Sequence, residues 1–128
     1  MELQPAEARI HQRLGQILGM GGRMGQALEH LREAMRLDPE SAGARNDLGV
    51  ALQAVGRLDE AERLYREALK IEPGYAEGHV NLARLLASRG RQPEAMDHLR
   101  QALQVLPADS DLAKQIRQWL GGPPGKVQ

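Results

Sequence analysis

The chain has 128 residues, enough for one domain of ordinary size, and its seventeen Lys plus Arg balance seventeen Asp plus Glu. That zero net charge argues against a nucleic-acid partner, which draws on a surplus of cations to neutralise phosphates; two Tyr, one Trp and no Phe leave little to stack on bases. With no Cys, disulfides, thiolate nucleophiles and zinc–thiolate sites are excluded, and no apolar run approaches the roughly 20 residues that span a bilayer.

The first residues, MELQPAEARIHQ, have neither a basic start nor an apolar stretch, so they are not a secretory signal and a cytoplasmic location is expected. Nineteen Leu and seventeen Ala, with few β-branched or aromatic residues, suit closely packed helices better than strands. A fixed period organises them. Pro39, Pro73 and Pro107 stand one period of 34 apart, as do Ala34, Ala68 and Ala102, and Gly22-Arg23, Gly56-Arg57 and Gly90-Arg91. Leu14, Leu48 and Leu82 keep the same step, with no insertion between repeats.

The frame places a lead-in segment at residues 1–7 and repeats at 8–41, 42–75 and 76–109. In the first repeat His11, Leu14, Gly15 and Leu18 recur at helical spacing, Gly21 and Gly22 break the helix, and Ala27, Leu31, Ala34 and Met35 mark a second helix that stops before Pro39. In the second repeat Leu48, Gly49 and Leu52 form one helix and Gly56 ends it. Asp59 is expected to cap the next, with Glu62 completing a capping box, and Ala61, Tyr65, Ala68 and Leu69 form its buried stripe. In the third repeat Pro93 falls where the first turn of a helix tolerates it. Gly15, Gly49 and Ala83 are expected to meet Ala27, Ala61 and Ala95, so that the two helices of each repeat approach closely. Residues 110–120 read as a capping helix with Leu112, Ile116 and Leu120 inward, Trp119 beside them, and Asp109 or Ser110 as its N-cap. A flexible tail is expected at 121–128, from the run Gly121-Gly122-Pro123-Pro124-Gly125.

This pattern resembles the tetratricopeptide repeat family. The first repeat carries it as His11, Leu14-Gly15, Leu18, Ala27, Leu31, Ala34 and Pro39, and the second as Arg45, Leu48-Gly49, Leu52, Ala61, Tyr65, Ala68 and Pro73. The third carries it as His79, Leu82-Ala83, Leu86, Ala95, Leu99, Ala102 and Pro107. Leu, His or Arg stand where the family favours aromatic residues. The resemblance implies an all-α, right-handed superhelical solenoid of helix–turn–helix pairs. It also implies a protein-interaction module that holds an extended peptide in a concave groove lined by the first helix of each repeat.

Catalytic patterns fare poorly. Asp109-Ser110-Asp111 looks like a metal motif but stands where Asp and Ser cap a helix. Gly19-Met20-Gly21-Gly22 has no preceding strand and no following Gly-Lys-Ser/Thr, so it reads as a turn and not a phosphate loop. His11 with His30, and His79 with His98, are placed as neighbours across one helix pair, but two ligands without a Cys or a clear carboxylate make a poor zinc site. No enzyme activity, cofactor or metal site is therefore expected.

Spacing opposite the Leu-Gly stripe picks out the groove face: Arg9, Gln12, Arg13, Gln16 and Met20, then Gly43, Asn46, Asp47, Val50 and Gln53, then Glu77, Val80, Asn81, Arg84 and Ser88. The Lys/Asn/Arg clamp that one subfamily uses for C-terminal carboxylates would fall on Gln12, Gln16, Asp47, Glu77 and Asn81; none is basic, so that clamp is not expected. Of the Asn ladder of another subfamily only Asn81 is matched. Ile10 and Ile17 lie on the stripe that should face a preceding repeat, and no repeat precedes them in this sequence. The leading segment, further chain upstream or a second copy could cover them, and a weak, concentration-dependent homodimer is the expectation. Two alternatives to a free-standing interaction module stay open, a recruitment or regulatory domain of a larger enzyme and a self-assembling scaffold. The partner is expected to be a protein or peptide, with no membrane contact.

Overall fold

The computed structural model describes residues 3–121, with side chains from Ala6 onward. Seven α-helices and no strand occur among the described residues: α1 Leu3–Met20, α2 Met24–Leu37, α3 Ala42–Ala54, α4 Leu58–Ile71, α5 Ala76–Ser88, α6 Gln92–Val105 and α7 Asp111–Gly121. The helix α1 begins five positions before the repeat frame, inside the expected lead-in. None of the helices is long and apolar enough to cross a membrane.

The same turn joins the two helices of every repeat. Gly22, Gly56 and Gly90 adopt φ of +82°, +87° and +82°, a left-handed conformation that costs glycine little. That residue lets the next amide turn back onto the helix. Arg23, Arg57 and Arg91 donate to the carbonyls of Leu18, Leu52 and Leu86 at 2.8, 2.9 and 2.8 Å, satisfying carbonyls the helix end would leave open. The turn is so short that α4 starts at Leu58. Asp59, expected as its cap, therefore lies inside the first turn, and Arg57 occupies the cap position without a side-chain bond. There the Asp59 carboxylate complements the helix dipole. Glu62 pairs with Arg66 at 2.9 Å. Side-chain caps do form where a longer link precedes the helix: Ser41 Oγ accepts from the Ala44 amide at 3.0 Å, and Ser110 Oγ from the Ala113 amide at 3.1 Å.

The helices divide into two compact units after Pro73. In the first, α1 packs on α2, α3 on α4, and α2 on α3, with a lighter contact of α1 with α3. Its core is Ala27, Leu31, Ala34, Leu48, Leu52, Ala61, Leu64, Tyr65 and Ala68. The close approach expected at the glycines is real: Gly15 meets the Ala27 carbonyl, 3.3 Å from an added Cβ, and at both glycines the nearest atoms belong to a large residue of the second helix. A Cβ added to Gly49 would lie 2.7 Å from Tyr65 Cε1, and one added to Gly15 would lie 2.5 Å from Leu31 Cγ. The glycines make room for the large residue in the middle of the second helix. Leu14 departs from its column: Leu48 and Leu82 are buried, whereas Leu14 is 39% exposed. Among the described residues no helix precedes α1 to cover it.

In the second unit α5 packs on α6 and α6 on α7. Ile116 is fully buried as expected, with Ala113 beside it, while Leu112 and Leu120 are only half-buried. Trp119 turns outward, and the Arg84 guanidinium lies 5.3 Å from its ring centroid. Ile116→Ala is expected to lower the unfolding free energy by about 2–5 kcal/mol, read from a denaturant titration. A loss below about 0.5 kcal/mol would show that α7 does not hold this unit together.

Candidate functional site

In the first unit the exposed faces of α1 and α3 lie side by side, and Asp47 organises them. Its Oδ2 accepts from Gln12 Nε2 at 2.6 Å and from Gln16 Nε2 at 2.8 Å, which ties α3 to α1 through one carboxylate. Both donors are neutral amides, and together they orient the carboxylate. Arg9, Arg13 and Val50 are exposed nearby in sequence on the same faces. Gln53 is half-buried and accepts the Tyr65 hydroxyl at 2.8 Å. Asn46 differs from expectation. It is 4% exposed, so it belongs to the packed interior and not to an open face. The reason is its column, Gln12, Asn46 and Val80: only the member on α1 stays half-open, and Val80 is buried like Asn46.

Beside Asp47 a cavity of about 400 Å³ opens, lined by Gly15, Gln16, Gly19, Met20, Met24, Leu31, Asp47, Val50, Ala51 and Ala54. Its walls are almost wholly apolar, with Asp47 and Gln16 as the polar edge. Column spacing picks out Gln16, Met20, Asp47 and Val50 but not the cavity. The readable cue is a comparison of columns, in which Leu31 and Gly19 stand where the next repeat has Tyr65 and Gln53.

In the second unit Asn81 is half-buried and Arg84 exposed, while the Ser88 hydroxyl donates to the Leu85 carbonyl of its own helix at 2.7 Å. A smaller cavity of about 170 Å³ is lined by Ala83, Arg84, Ala87, Gln92, Ala95, Met96, Leu99 and Trp119.

The four histidines form two equivalent pairs. His11 and His30 approach Nδ1 to Nδ1 at 2.9 Å, and His79 and His98 at 3.0 Å, with ring centroids 5.2 and 5.3 Å apart. A hydrogen bond between two Nδ1 atoms needs one ring to donate and the other to accept. No group of three or more His, Asp or Glu that could hold a metal occurs among the described residues. On α2 the Arg36 guanidinium hydrogen-bonds the Glu33 carboxylate and holds it below its ordinary pKa; Arg36 is exposed and Glu33 half-buried, and the two form a helix-surface ion pair.

Ile10 and Ile17 are 59% and 54% exposed on α1, whereas Ala44 and Ala51 in the same columns of α3 are buried.

Family comparison agrees with this architecture. A tetratricopeptide repeat model matches residues 40–108 and a second matches residues 8–41. The chain belongs to the tetratricopeptide repeat family. No curated protein matches it in sequence. Among solved structures it is similar to MamA, with a TM-score of 0.77, 22% identity, and coverage of 91% of this chain and 66% of that one. It is similar to the second TPR of Spaghetti bound to an HSP90 peptide, with a TM-score of 0.75, 18% identity, and coverage of 83% and 100%. It is also similar to YrrB, described as a TPR protein with an unusual peptide-binding site, with a TM-score of 0.74, 26% identity, and coverage of 87% and 57%. The chain thus spans about two thirds of MamA and little more than half of YrrB.

The paired histidines give a direct check. Nitrogen-15 NMR at neutral pH is expected to find one ring of each pair carrying its proton on Nδ1 and the other on Nε2. Four rings all in the Nε2–H form would contradict the pairing.

Proposed function

We propose that this chain is a non-catalytic protein-interaction module that binds an extended peptide across the exposed faces of its first helices. The observation that carries the reading is the first-unit site, an open apolar cavity edged by a carboxylate that two side-chain amides hold in place. Binding sites of this kind are mostly apolar, with a few placed polar groups that fix orientation. Membership of the family, and the peptide named with one structural neighbour, support the same reading. In the first unit the proposed binding residues are Arg9, Gln12, Arg13, Gln16, Asp47 and Val50; in the second unit, taken by itself, Asn81 and Arg84 stand at the corresponding positions of α5. Ser88 already spends its hydroxyl on its own helix, and Gln53 bonds Tyr65. The clamp for C-terminal carboxylates is not expected, because Asp47 would repel such a terminus where that clamp needs a cation.

Peptides selected from a random display library on the whole chain provide the test. Val50→Asp places a charge on the apolar edge, and it is expected to weaken such peptides at least tenfold with the fold intact by circular dichroism. Gln16→Ala should cost about 0.5–1.5 kcal/mol, the worth of one hydrogen bond. Unchanged affinity in both variants would remove the first unit from the binding surface.

A second reading concerns self-association. Ile10 and Ile17 present an apolar stripe, and a second copy of the chain that covers it would give a weak homodimer. Light scattering over a wide concentration range should reveal a mass that rises with concentration, and Ile10→Glu with Ile17→Glu should abolish the rise. A constant monomer mass for the wild type would refute it.

A further inference from the structure

We propose that the cavity over Gly15 and Gly19 is a receptor for one aromatic side chain of a partner peptide, with a Lys or Arg next to that side chain set against Asp47. The proposal rests on the peptide-binding reading and names the ligand of its first unit.

The second repeat supplies the template. Tyr65 lies against Gly49, is 1% exposed, and runs along α3 until its hydroxyl reaches Gln53 at 2.8 Å. One period earlier stand Gly15, Leu31 and Gly19. The repeat keeps the glycine that admits a ring but not the ring. Leu31 packs against Gly15 and ends in two methyls where tyrosine continues with a phenol. Gly19 adds nothing where Gln53 would close the far end; a Cβ placed on it would meet only Met24 and Ala27, at 3.7 Å or more. The space left is about 400 Å³, ample for a phenyl or phenol group. In the second unit the corresponding column members Ala83, Ala87 and Leu99 line a cavity whose wall includes the indole of Trp119. In the second repeat a ring of this chain thus fills the place over the glycine, and in the second unit the Trp119 ring borders it; the first repeat has neither.

The lining suits a ring. Met20 and Met24 offer thioether sulfurs, which favour aromatic edges and adapt to irregular outlines. Val50, Ala51 and Ala54 close the α3 side with short side chains. Charge decides what flanks the ring. Asp47 is the charged residue among those lining the cavity, and the amides of Gln12 and Gln16 fix its position. A flanking Lys or Arg is attracted there and a flanking carboxylate repelled.

Display selection on the whole chain, followed by fluorescence anisotropy, tests this. Selected peptides are expected to carry Phe, Tyr or Trp with a Lys or Arg within two residues. Gly19→Gln with Leu31→Tyr rebuilds the second repeat's own arrangement in the first, and should melt no lower than wild type while losing at least tenfold in affinity. Gly19→Gln alone blocks the far end if the double variant fails to fold, and should lose severalfold. Asp47→Asn should cost roughly two- to fivefold, the worth of a partly exposed charge pair. Peptides that are lost on Val50→Asp, yet lack aromatic residues or survive the filled cavity, would overturn the aromatic receptor and leave the groove reading standing. Peptides indifferent to Val50→Asp, or no selectable peptide at all, would contradict both.

Discussion

The distance between the two helices of a repeat is set where the middle of the second helix meets the first. Gly49 accepts the Tyr65 ring at a separation no Cβ would allow, and Gly15 does the same for Leu31. Any larger side chain at these points would force the pair apart, at a cost of about 1–3 kcal/mol from overpacking. Much else follows from this approach. It buries the alanines around it, Ala27 and Ala61 among them, and it fixes the line along which the second helix returns after the glycine turn.

The two large residues that use this opening are not equivalent, and that difference separates structure from site. Tyr65 is long enough to fill its furrow and to find a polar partner for its hydroxyl in Gln53, so the second repeat is closed there. Leu31 fills only the near end. An apolar furrow left open to water carries a hydration cost that an apolar ligand relieves. The same period that makes the repeats stack therefore also makes their departures informative, because each departure is a hole or a filling of known outline.

Much of the fold was legible in the sequence because it depends on period and punctuation. Gly22, Gly56 and Gly90 mark the turns, and Ala27, Ala61 and Ala95 mark the buried stripe, all by spacing alone. What was not legible depends on side-chain length and local start points. Asp59 looked like a cap because Asp commonly caps, but the tight glycine turn begins α4 before it. Asn46 looked like a groove residue from its helical spacing, yet spacing does not report burial, and it is buried. Trp119 was placed beside the inward residues of the last helix; it is 42% exposed, with the Arg84 guanidinium 5.3 Å from its ring centroid. The pairing of His11 with His30 was readable as proximity; the mutual Nδ1 contact was not, since it depends on ring rotation.

Intermolecular nuclear Overhauser effects can look directly into the empty furrow of the first repeat. With 2-phenylethylamine at millimolar concentration as probe, its ring protons should show contacts to the Gly19 α-protons and the Met24 methyl, and its methylene next to nitrogen should lie toward Asp47. Contacts confined to other surfaces, or none at these residues with the amine at saturation, would contradict the claim that this repeat is built to receive a ring it does not carry.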